Sequence, residues 1–329
     1  MSTSDPVPPT PDTERIPVAV VGCGAFGRHH ARIYAHSSAV TLAGIYDRDR
    51  DRAAAAAREF NTRPLASLDE VAAVARAASV AVPTVSHAEI TLRLLQAGLD
   101  VLVEKPIAPS LDEADVMIAT AQRHNRILMV GHLERFNPAV RLVRPRLTRP
   151  LFFEVHRLSL FTPRSLDVDV LLDLMIHDLD VVLSFVNSPV ADLQAVGLAV
   201  LTSYVDIANV RLSFENGCVA NLTASRVSTE KVRKLRFFQP GEYISLDYAR
   251  RDVRVFSVAT NPYAPPLIQH QHLTDDGVEP LAAELAAFLH SVKTRRPPEV
   301  DGAAARAALA AALRCAAAIA KHAELVGVK

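Results

Sequence analysis

Three polar residues at helical spacing interrupt an apolar segment in the second half of the chain and could carry proton chemistry. In DVDVLLDLMIHDLDVVLSFV (167–186), Asp173, His177 and Asp180 stand at i, i+4 and i+7, which places them on one side of a helix. Such groups are costly among leucines unless they are paired or reach a cleft. A histidine beside a carboxylate can accept a proton near neutral pH, because its ordinary pKa is about 6.5. A helix cap with a surface ion pair is the alternative interpretation.

A lysine at the end of an apolar run is the second candidate. In VLVEKPI (101–107) the run ends in Glu104, Lys105 and Pro106. Proline restricts the preceding residue to extended backbone geometry and can also follow a cis peptide bond. From its position alone, Lys105 is either a donor into a ligand site or a solvated or ion-paired charge.

A glycine-rich turn near the N-terminus could position a cofactor beside these groups. The apolar run PVAVV (17–21) leads into Gly22-Cys23-Gly24-Ala25-Phe26-Gly27, and RHHARIY (28–34) follows with a helical pattern. This is the GxGxxG dinucleotide-binding fingerprint in its strand, turn and helix context. The glycines allow a tight turn, close approach of the backbone to a pyrophosphate and close packing of the helix, whose N-terminus offers free N–H groups.

An acidic residue completes this pattern. The next apolar run, VTLAGIY (40–46), ends in Asp47, twenty residues after Gly27. Its carboxylate would accept hydrogen bonds from the ribose hydroxyls and repel a 2′-phosphate. NAD is therefore favoured over NADP, although the adjacent Arg48 leaves NADP as the alternative.

Alternating apolar runs and helix signals predict a doubly wound parallel sheet over residues 16–131. Three S-x-x-E capping boxes mark predicted helix starts at Ser67–Glu70, Ser86–Glu89 and Ser110–Glu113. The ligands of such sheets bind outside the carboxyl ends of the strands, so Glu104 and Lys105 are expected on the same rim as the glycine turn.

The second half has the pattern of an antiparallel sheet. Strand-like segments occur at 151–160, 192–201, 206–217, 218–227, 234–240, 243–248 and 251–259, and Asn216-Gly217 and Pro240-Gly241 are hairpin signals. One face of such an open sheet favours self-association. His270-Gln271-His272 is interpreted as part of a loop. We predict an α/β chain with a disordered tail at 1–15, a Rossmann domain at 16–135, and a substrate-binding and oligomerisation domain with a large, mainly antiparallel open sheet at 136–329.

The composition of the chain limits the classes of binding partner that we expect. The 329 residues include 36 Lys+Arg and 36 Asp+Glu, so no global field attracts nucleic acid or an anionic membrane. The three cysteines are scattered and form no CxxC pair, which argues against disulfides and zinc and favours a reducing cytoplasm. No signal-peptide core or membrane-spanning run is recognised, and no metal site is predicted. Small molecules and copies of the chain itself are the expected partners.

Together, GCGAFG, EKP, GHLERFNPA (131–139) and Asp-x3-His-x2-Asp resemble the glucose-fructose oxidoreductase / inositol dehydrogenase (Gfo/Idh/MocA) family. The resemblance implies nicotinamide-dependent oxidation or reduction of a sugar or cyclitol, in a homodimer or homotetramer formed through the second sheet. It implies that Lys105 donates a hydrogen bond to the reacting hydroxyl, that His177 accepts its proton and that Asp173 orients His177. The implied cofactor-binding residues are Gly22, Gly24, Ala25, Phe26, Gly27, Asp47, Arg48, Pro83, Thr84, His87, Glu104 and Lys105.

Within the family, GHLERFNPAV, MIHDLDVVLSF and TASRVSTEKVRKLRFF resemble the branch that oxidises C3 of UDP-N-acetylglucosamine. That branch supplies a 3-keto nucleotide sugar to an aminotransferase, towards 3-amino sugars for lipid A or surface polysaccharides. The expected substrate-binding residues are Arg164, Asp173, His177 and Arg226, and the basic cluster 226–236 would suit a diphosphate or be a solvated charged strand. The alternatives are a dehydrogenase of a free sugar or inositol, reduction of a non-sugar substrate, and an NAD-binding regulator without catalysis.

Overall fold

A computed structural model describes residues 15–162, 168–261, 264–275 and 277–327. The first sheet has six strands in the order β3-β2-β1-β4-β5-β6, and every neighbouring pair is parallel. Its strands are β1 Ile16–Val21, β2 Val40–Tyr46, β3 Pro64–Leu65, β4 Ala77–Val80, β5 Asp100–Glu104 and β6 Leu128–Gly131. Their apolar side chains are buried, as expected for a parallel sheet covered on both faces. The predicted doubly wound sheet is confirmed.

The helices that follow the three predicted start signals begin directly after Ser67, Ser86 and Ser110. The helices of this sheet are α1 Ala25–Ala35, α2 Arg50–Glu59, α3 Leu68–Val74, α4 His87–Gln96 and α5 Leu111–Arg123. The hydroxyls of Ser67 and Ser110 accept hydrogen bonds from the backbone N–H of the third residue after each, so the serine half of two predicted capping boxes is confirmed. At the third signal α4 begins at His87, as predicted, but the Ser86 side chain forms no cap hydrogen bond. Ser86 ends a 3₁₀ turn, Thr84–Ser86, and its φ and ψ of −105° and 0° are not the extended geometry that lets an N-cap side chain reach back to the helix.

The second sheet has eight strands in the order β14-β13-β12-β11-β7-β10-β9-β8. The pair β7 and β10 is parallel, and the other pairs are antiparallel. The strands are β7 Phe152–Leu158, β8 Val190–Leu198, β9 Ile207–Phe214, β10 Val219–Ser225, β11 Val232–Gln239, β12 Glu242–Asp247, β13 Asp252–Asn261 and β14 Ala264–Thr274. Gly217 and Gly241, in the two predicted hairpins, have φ of +83° and +78°. The mainly antiparallel sheet is therefore confirmed.

One strand was missed. His270, Gln271 and His272 lie in β14 and pair with Phe256, Val255 and Arg254 of β13, so the loop interpretation is wrong. The prolines in APPLIQHQHLT hid this strand from the pattern. An edge strand tolerates proline because one of its sides needs no hydrogen-bond partner.

The predicted charged helix starts later than expected and is irregular. Val168 and Asp169 are not helical, a π-helical turn spans Leu171–Met175, and α7 continues from Ile176 to Val186. The short helix α6, Pro138–Val143, precedes the second sheet. Single π-helical turns occur frequently at functional sites.

The chain finally returns to the first domain. In α8, Pro280–Thr294, Leu281, Leu285 and Phe288 belong to the core of the first sheet. The packing thus departs from the predicted division at residue 136, because an amphipathic pattern shows that a helix has a buried face but not which sheet covers that face.

The last helix, α9 Gly302–Val326, joins the two cores. Ala305 and Leu309 pack in the first core, and Ala312, Cys315 and Ile319 pack in the second. Among the described residues, α9 is the one helix long and apolar enough to cross a membrane by length and composition alone. Its buried alanine-rich face is the packing of a core helix.

Candidate active site

The glycine turn between β1 and α1 provides a cradle for a dinucleotide. Gly22 has φ of +88°, and a Cβ there would lie 2.5 Å from the carbonyl oxygen of Ala81. A Cβ on Gly27 would lie 1.9 Å from the carbonyl oxygen of Gly22, whereas one on Gly24 would meet nothing within 4 Å. Two glycines therefore allow the strand and helix to pack, and the third leaves space at the helix N-terminus. This division of roles fits a bound pyrophosphate.

Asp47 closes the ribose end of this cradle. It is 7% exposed, and its carboxylate accepts hydrogen bonds of 2.9 Å from the backbone N–H groups of Cys23 and Asp49. Although burial opposes it, this backbone donation holds the pKa of Asp47 below its ordinary value, so the carboxylate is ionised at neutral pH. Arg52 lies 3.8 Å away. The group therefore carries the negative charge that the sequence prediction required.

A cavity of about 250 Å³ lies beside Asp47. Of the predicted cofactor residues, Gly22, Gly24, Asp47, Arg48 and Pro83 line it. Sequence reasoning missed Tyr46, Arg52, Ala81, Val82, Ser86 and Ile90, which also line it. The signal available for most of them was their position at or just after the carboxyl end of a predicted strand.

The remaining predicted cofactor residues divide into two groups. Phe26, Glu104 and Lys105 line a neighbouring cavity. Ala25, Gly27, Thr84 and His87 line neither cavity. His87 is buried, and its ring nitrogens lie 3.0 Å and 2.8 Å from the carbonyl oxygens of Val82 and Pro106. The ring connects the loop after β4 to the bend after β5, and a direct cofactor contact by His87 stays a prediction.

The neighbouring cavity, of about 440 Å³, contains the predicted catalytic residues. Lys105, Asp173 and His177 line it together, although the lysine is 68 residues from the aspartate along the chain. Ala81 and Val82 line both cavities, so the cavity beside Asp47 adjoins the one that contains the predicted catalytic residues. The peptide bond between Lys105 and Pro106 is cis.

Lys105 is tied to the π-helical turn. Its Nζ donates a hydrogen bond of 2.8 Å to the carbonyl oxygen of Asp173 and lies 3.7 Å from the carboxylate of the same residue. Burial lowers the pKa of Lys105, and the charges of Asp173 and Glu104 oppose that shift. The ammonium is thus held in place by contacts that leave it beside the cavity.

His177 has a different environment from the predicted one. Its Nδ1 is buried and has no hydrogen-bond partner among the described residues, which leaves Nε2 as the ring nitrogen that reaches the cavity. No described hydrogen bond joins it to Asp173, whose carboxylate lies beside Lys105 instead. Burial, followed by the positive charges of Lys105 and Arg157, lowers the pKa of His177 well below its ordinary value. The imidazole is therefore neutral at neutral pH and can accept a proton.

A buried ion cluster contributes Arg157 and Glu134 to the lining of this cavity. Arg157 on β7 donates hydrogen bonds of 2.6 Å and 3.0 Å to the carboxylate of Asp178 and one of 3.0 Å to Glu134. Asp178 follows His177 directly in α7, so this cluster fixes the histidine-bearing helix against the second sheet. Sequence reasoning did not assign this role, although Glu134 and Asp178 stood in the quoted motifs and Arg157 in a predicted strand.

Asp180 also belongs to a buried ion pair that holds α7 in place. It accepts hydrogen bonds of 2.6 Å and 3.0 Å from Arg135, and both residues are buried. This pair ties α7 to the 3₁₀ turn Leu133–Phe136. Asp180 therefore continues the charged side of the helix without lining the cavity.

Neither of the two predicted substrate-binding arginines, Arg164 and Arg226, is found lining the catalytic cavity among the described residues. Arg226 is 6% exposed, donates a hydrogen bond to the carbonyl oxygen of Val168 and lies 3.7 Å from Asp206. It is not among the residues that line the catalytic cavity, so its predicted substrate contact is not supported by the geometry. Arg164 lies outside the described residues.

The basic residues on β11 are divided between the two faces of the second sheet. Arg233, Leu235 and Phe237 share one face of β11, and the two apolar side chains are fully buried there. Side chains on alternate positions point to the opposite face, where Arg236 forms an ion pair of 2.9 Å with Glu154. Arg233 lines the catalytic cavity. It is the arginine that sequence reasoning quoted in the cluster but did not select.

Comparison with known proteins agrees with this architecture. Residues 16–132 match a family model described as an oxidoreductase family with an NAD-binding Rossmann fold, and residues 139–239 match that of the GFO/IDH/MocA C-terminal domain. The chain belongs to the GFO/IDH/MocA family. The family resemblance predicted from the motifs is thus confirmed, and the protein is an enzyme of the oxidoreductase class.

Curated relatives and solved structures in the family extend over most of the chain. The UDP-N-acetylglucosamine 3-dehydrogenase of Acidithiobacillus ferrooxidans is 38% identical over 298 residues, which is 90% of this chain and 94% of the relative. A solved structure of that enzyme has a TM-score of 0.87 at 36% identity and covers 93% of this chain and 98% of its own. The inositol 2-dehydrogenase of Leifsonia xyli is 34% identical over 56% of this chain and 57% of its own length.

Proposed function

We propose that this GFO/IDH/MocA enzyme oxidises the C3 hydroxyl of UDP-N-acetylglucosamine to a ketone with NAD. The observation that carries the proposal is the convergence of Lys105 and His177 on one cavity that adjoins the glycine cradle. The substrate is taken from the Acidithiobacillus relative, which is similar over 90% of this chain. A dehydrogenase needs such an arrangement because the reacting carbon must meet a base and a cofactor at the same time.

The side chains of the cavity supply the proton chemistry. When bound, the nicotinamide accepts the hydride that leaves the substrate carbon. His177 takes the hydroxyl proton, and its lowered pKa keeps it in the neutral, accepting form. Lys105 donates a hydrogen bond to the same oxygen and stabilises the negative charge that develops there, while Asp173 holds the ammonium in position.

NAD is favoured over NADP. The ionised Asp47 carboxylate would repel a 2′-phosphate and accept hydrogen bonds from ribose hydroxyls. Arg48 and Arg52 line the same cavity and are the residues that would favour NADP. Measuring kcat/KM with both cofactors tests the preference, and a higher value with NADP would contradict it.

We also propose that a second copy of the chain packs against the open face of the second sheet. A row of aromatic rings crosses that face with centroid separations of 4.6 to 5.6 Å, formed by Phe152, Phe238, Tyr243, Phe256 and His270. Apolar surface of this kind favours burial in a homodimer or homotetramer. Light scattering of the wild type and of Phe238→Asp tests it: the variant should dissociate.

The proposed setting is the cytoplasm, with an aminotransferase that consumes the 3-keto product towards 3-amino sugars for lipid A or surface polysaccharides. The buried free thiols of Cys23, Cys218 and Cys315 are compatible with a reducing compartment. Fractionation of the source cells tests the location.

The decisive experiment uses purified enzyme with NAD and UDP-N-acetylglucosamine. NADH absorbance and mass spectrometry of the keto product, trapped by an amine donor and an aminotransferase, should both report turnover. Parallel reactions contain free N-acetylglucosamine, glucose and inositol. Turnover of a free sugar or inositol alone would select the catabolic alternative. NAD binding without turnover of any substrate would select the regulator.

A further inference from the structure

We infer that Arg233 binds the phosphate attached to the anomeric carbon of the substrate and thereby selects phosphorylated sugars over neutral ones. The inference rests on the proposed function, because it names the group that distinguishes a nucleotide sugar from a free sugar in the same cavity.

The position of Arg233 is set by its strand. It lies near the start of β11, directly opposite Arg157 of β7 in the antiparallel register. It lines the same cavity as Lys105 and His177. A group bound to its guanidinium would therefore share this cavity with the reacting hydroxyl.

The two neighbouring arginines differ in their partners. All three donor nitrogens of the Arg157 guanidinium are bonded to Asp178 and Glu134. Arg233 has no hydrogen-bond or ion-pair partner for its guanidinium in the described part of the chain, and its Nε is buried. The carboxylates nearest to it are thus occupied by Arg157, and that of Asp173 lies beside Lys105.

This imbalance of charge favours an anionic ligand. Burial and the repulsion of Arg157 lower the pKa of Arg233, and the charges of Glu134, Asp178 and Asp173 oppose that shift without forming a direct contact among the described residues. A partly buried cation without a partner is unfavourable. A planar guanidinium matches two oxygens of a phosphate with paired hydrogen bonds, so an anomeric phosphate would supply the missing compensation and a neutral sugar would not.

The test compares Arg233→Gln with the matched control Arg236→Gln, three residues away on the opposite face and paired with Glu154. The substrates are UDP-N-acetylglucosamine, N-acetylglucosamine 1-phosphate and N-acetylglucosamine. Arg233→Gln should raise KM for both phosphorylated substrates about ten- to a hundredfold, the range for a lost charged hydrogen bond, with little change in kcat. Its kcat/KM for the neutral sugar should change less than about twofold, as should all values of the control, by the same reasoning.

Each outcome has one meaning. Equal losses on phosphorylated and neutral substrates, or an unchanged KM for the phosphorylated ones, overturn the inference while the proposed function stands. A rise in KM for the UDP-sugar but not for the 1-phosphate also overturns it, because the contact would then lie beyond the anomeric phosphate. Absence of wild-type turnover with UDP-N-acetylglucosamine defeats the proposed function and the inference with it. Arg233→Lys, which keeps the charge without the paired geometry, should give an intermediate KM and provides the comparison if the glutamine variant is unstable.

Discussion

The Nζ atom of Lys105 lies 2.8 Å from the carbonyl oxygen of Asp173 and 3.7 Å from its carboxylate. This contact connects the carboxyl end of β5 in the first sheet to the π-helical turn of the second domain. One residue thus supplies both a hydrogen-bond acceptor and an ion-pair partner to the lysine. In this geometry Asp173 contacts Lys105, so we expect it to influence the proton chemistry through the lysine. The residues that line the cavity come from both domains.

The pH dependence of kcat/KM tests the two proton roles. Protonation of His177 removes the base, and its pKa lies well below 6.5 because of burial and nearby positive charge. The rate should therefore hold its plateau at pH 6.5 and fall only at lower pH. Burial also lowers the pKa of Lys105 from 10.5, so the alkaline fall should begin below that value. An acidic midpoint at or above 6.5 contradicts this assignment.

His177→Asn should lower kcat about 10²- to 10⁴-fold while NADH binding, measured by fluorescence, stays unchanged.

The variant Asp173→Asn separates a role at Lys105 from a role at His177. Removing the carboxylate charge removes a group that raises the pKa of Lys105. The alkaline limb of the profile should move to lower pH, and the acidic limb should stay in place. Movement of the acidic limb alone would show that Asp173 acts on the histidine, as the family resemblance implied.

Alanine variants of two glycines separate folding from cofactor binding. Gly27→Ala would bring a methyl group 1.9 Å from the carbonyl oxygen of Gly22, whereas Gly24→Ala meets nothing within 4 Å. Gly27→Ala should lower the midpoint of thermal unfolding or prevent folding. Gly24→Ala should unfold like the wild type and bind NAD more weakly, since its methyl group occupies the space of the pyrophosphate. Equal NAD affinity in Gly24→Ala and wild type would contradict the prediction that the pyrophosphate binds at this turn.

The sequence predicted those features that are encoded locally. GCGAFG, the acidic residue after β2 and the hairpin glycines each have a fixed relation to the backbone, so short-range spacing identified them. Arg226 and Arg233 show the limit. Both lie in one basic segment, and the register of β10 and β11 decides that Arg233 reaches the cavity while Arg226 packs against Val168. The contact of α8 with the first sheet is likewise long-range, and no local pattern contains it.

The buried Arg157 cluster should dominate local stability. Arg157→Met leaves the carboxylate of Asp178 buried without its partner, a change that costs about 3 to 5 kcal/mol in comparable pairs. The double variant Arg157→Met/Asp178→Asn should recover part of that loss, because the uncompensated charge is gone. Denaturant unfolding measures both. Arg306→Met, which breaks an exposed pair with Asp115, is the control and should unfold like the wild type. A single variant as stable as this control would contradict the argument.

Glu284 on α8 should make stability depend on pH. It is fully buried, and neither carboxyl oxygen has a hydrogen-bond partner among the described residues. Burial, and then the charges of Glu104 and Asp180, raise its pKa well above the ordinary 4.5. The folded state therefore keeps a proton that the unfolded chain releases above about pH 4.5, and the unfolding free energy falls by up to about 1.4 kcal/mol per pH unit from there to the folded-state pKa. Glu284→Gln removes this dependence. The difference in unfolding free energy between Glu284→Gln and the wild type, measured with denaturant, should shift in favour of the variant from pH 5 to pH 8. The exposed control Glu279→Gln should show no such shift. An equal difference at both pH values would show that Glu284 is ionised in the folded protein.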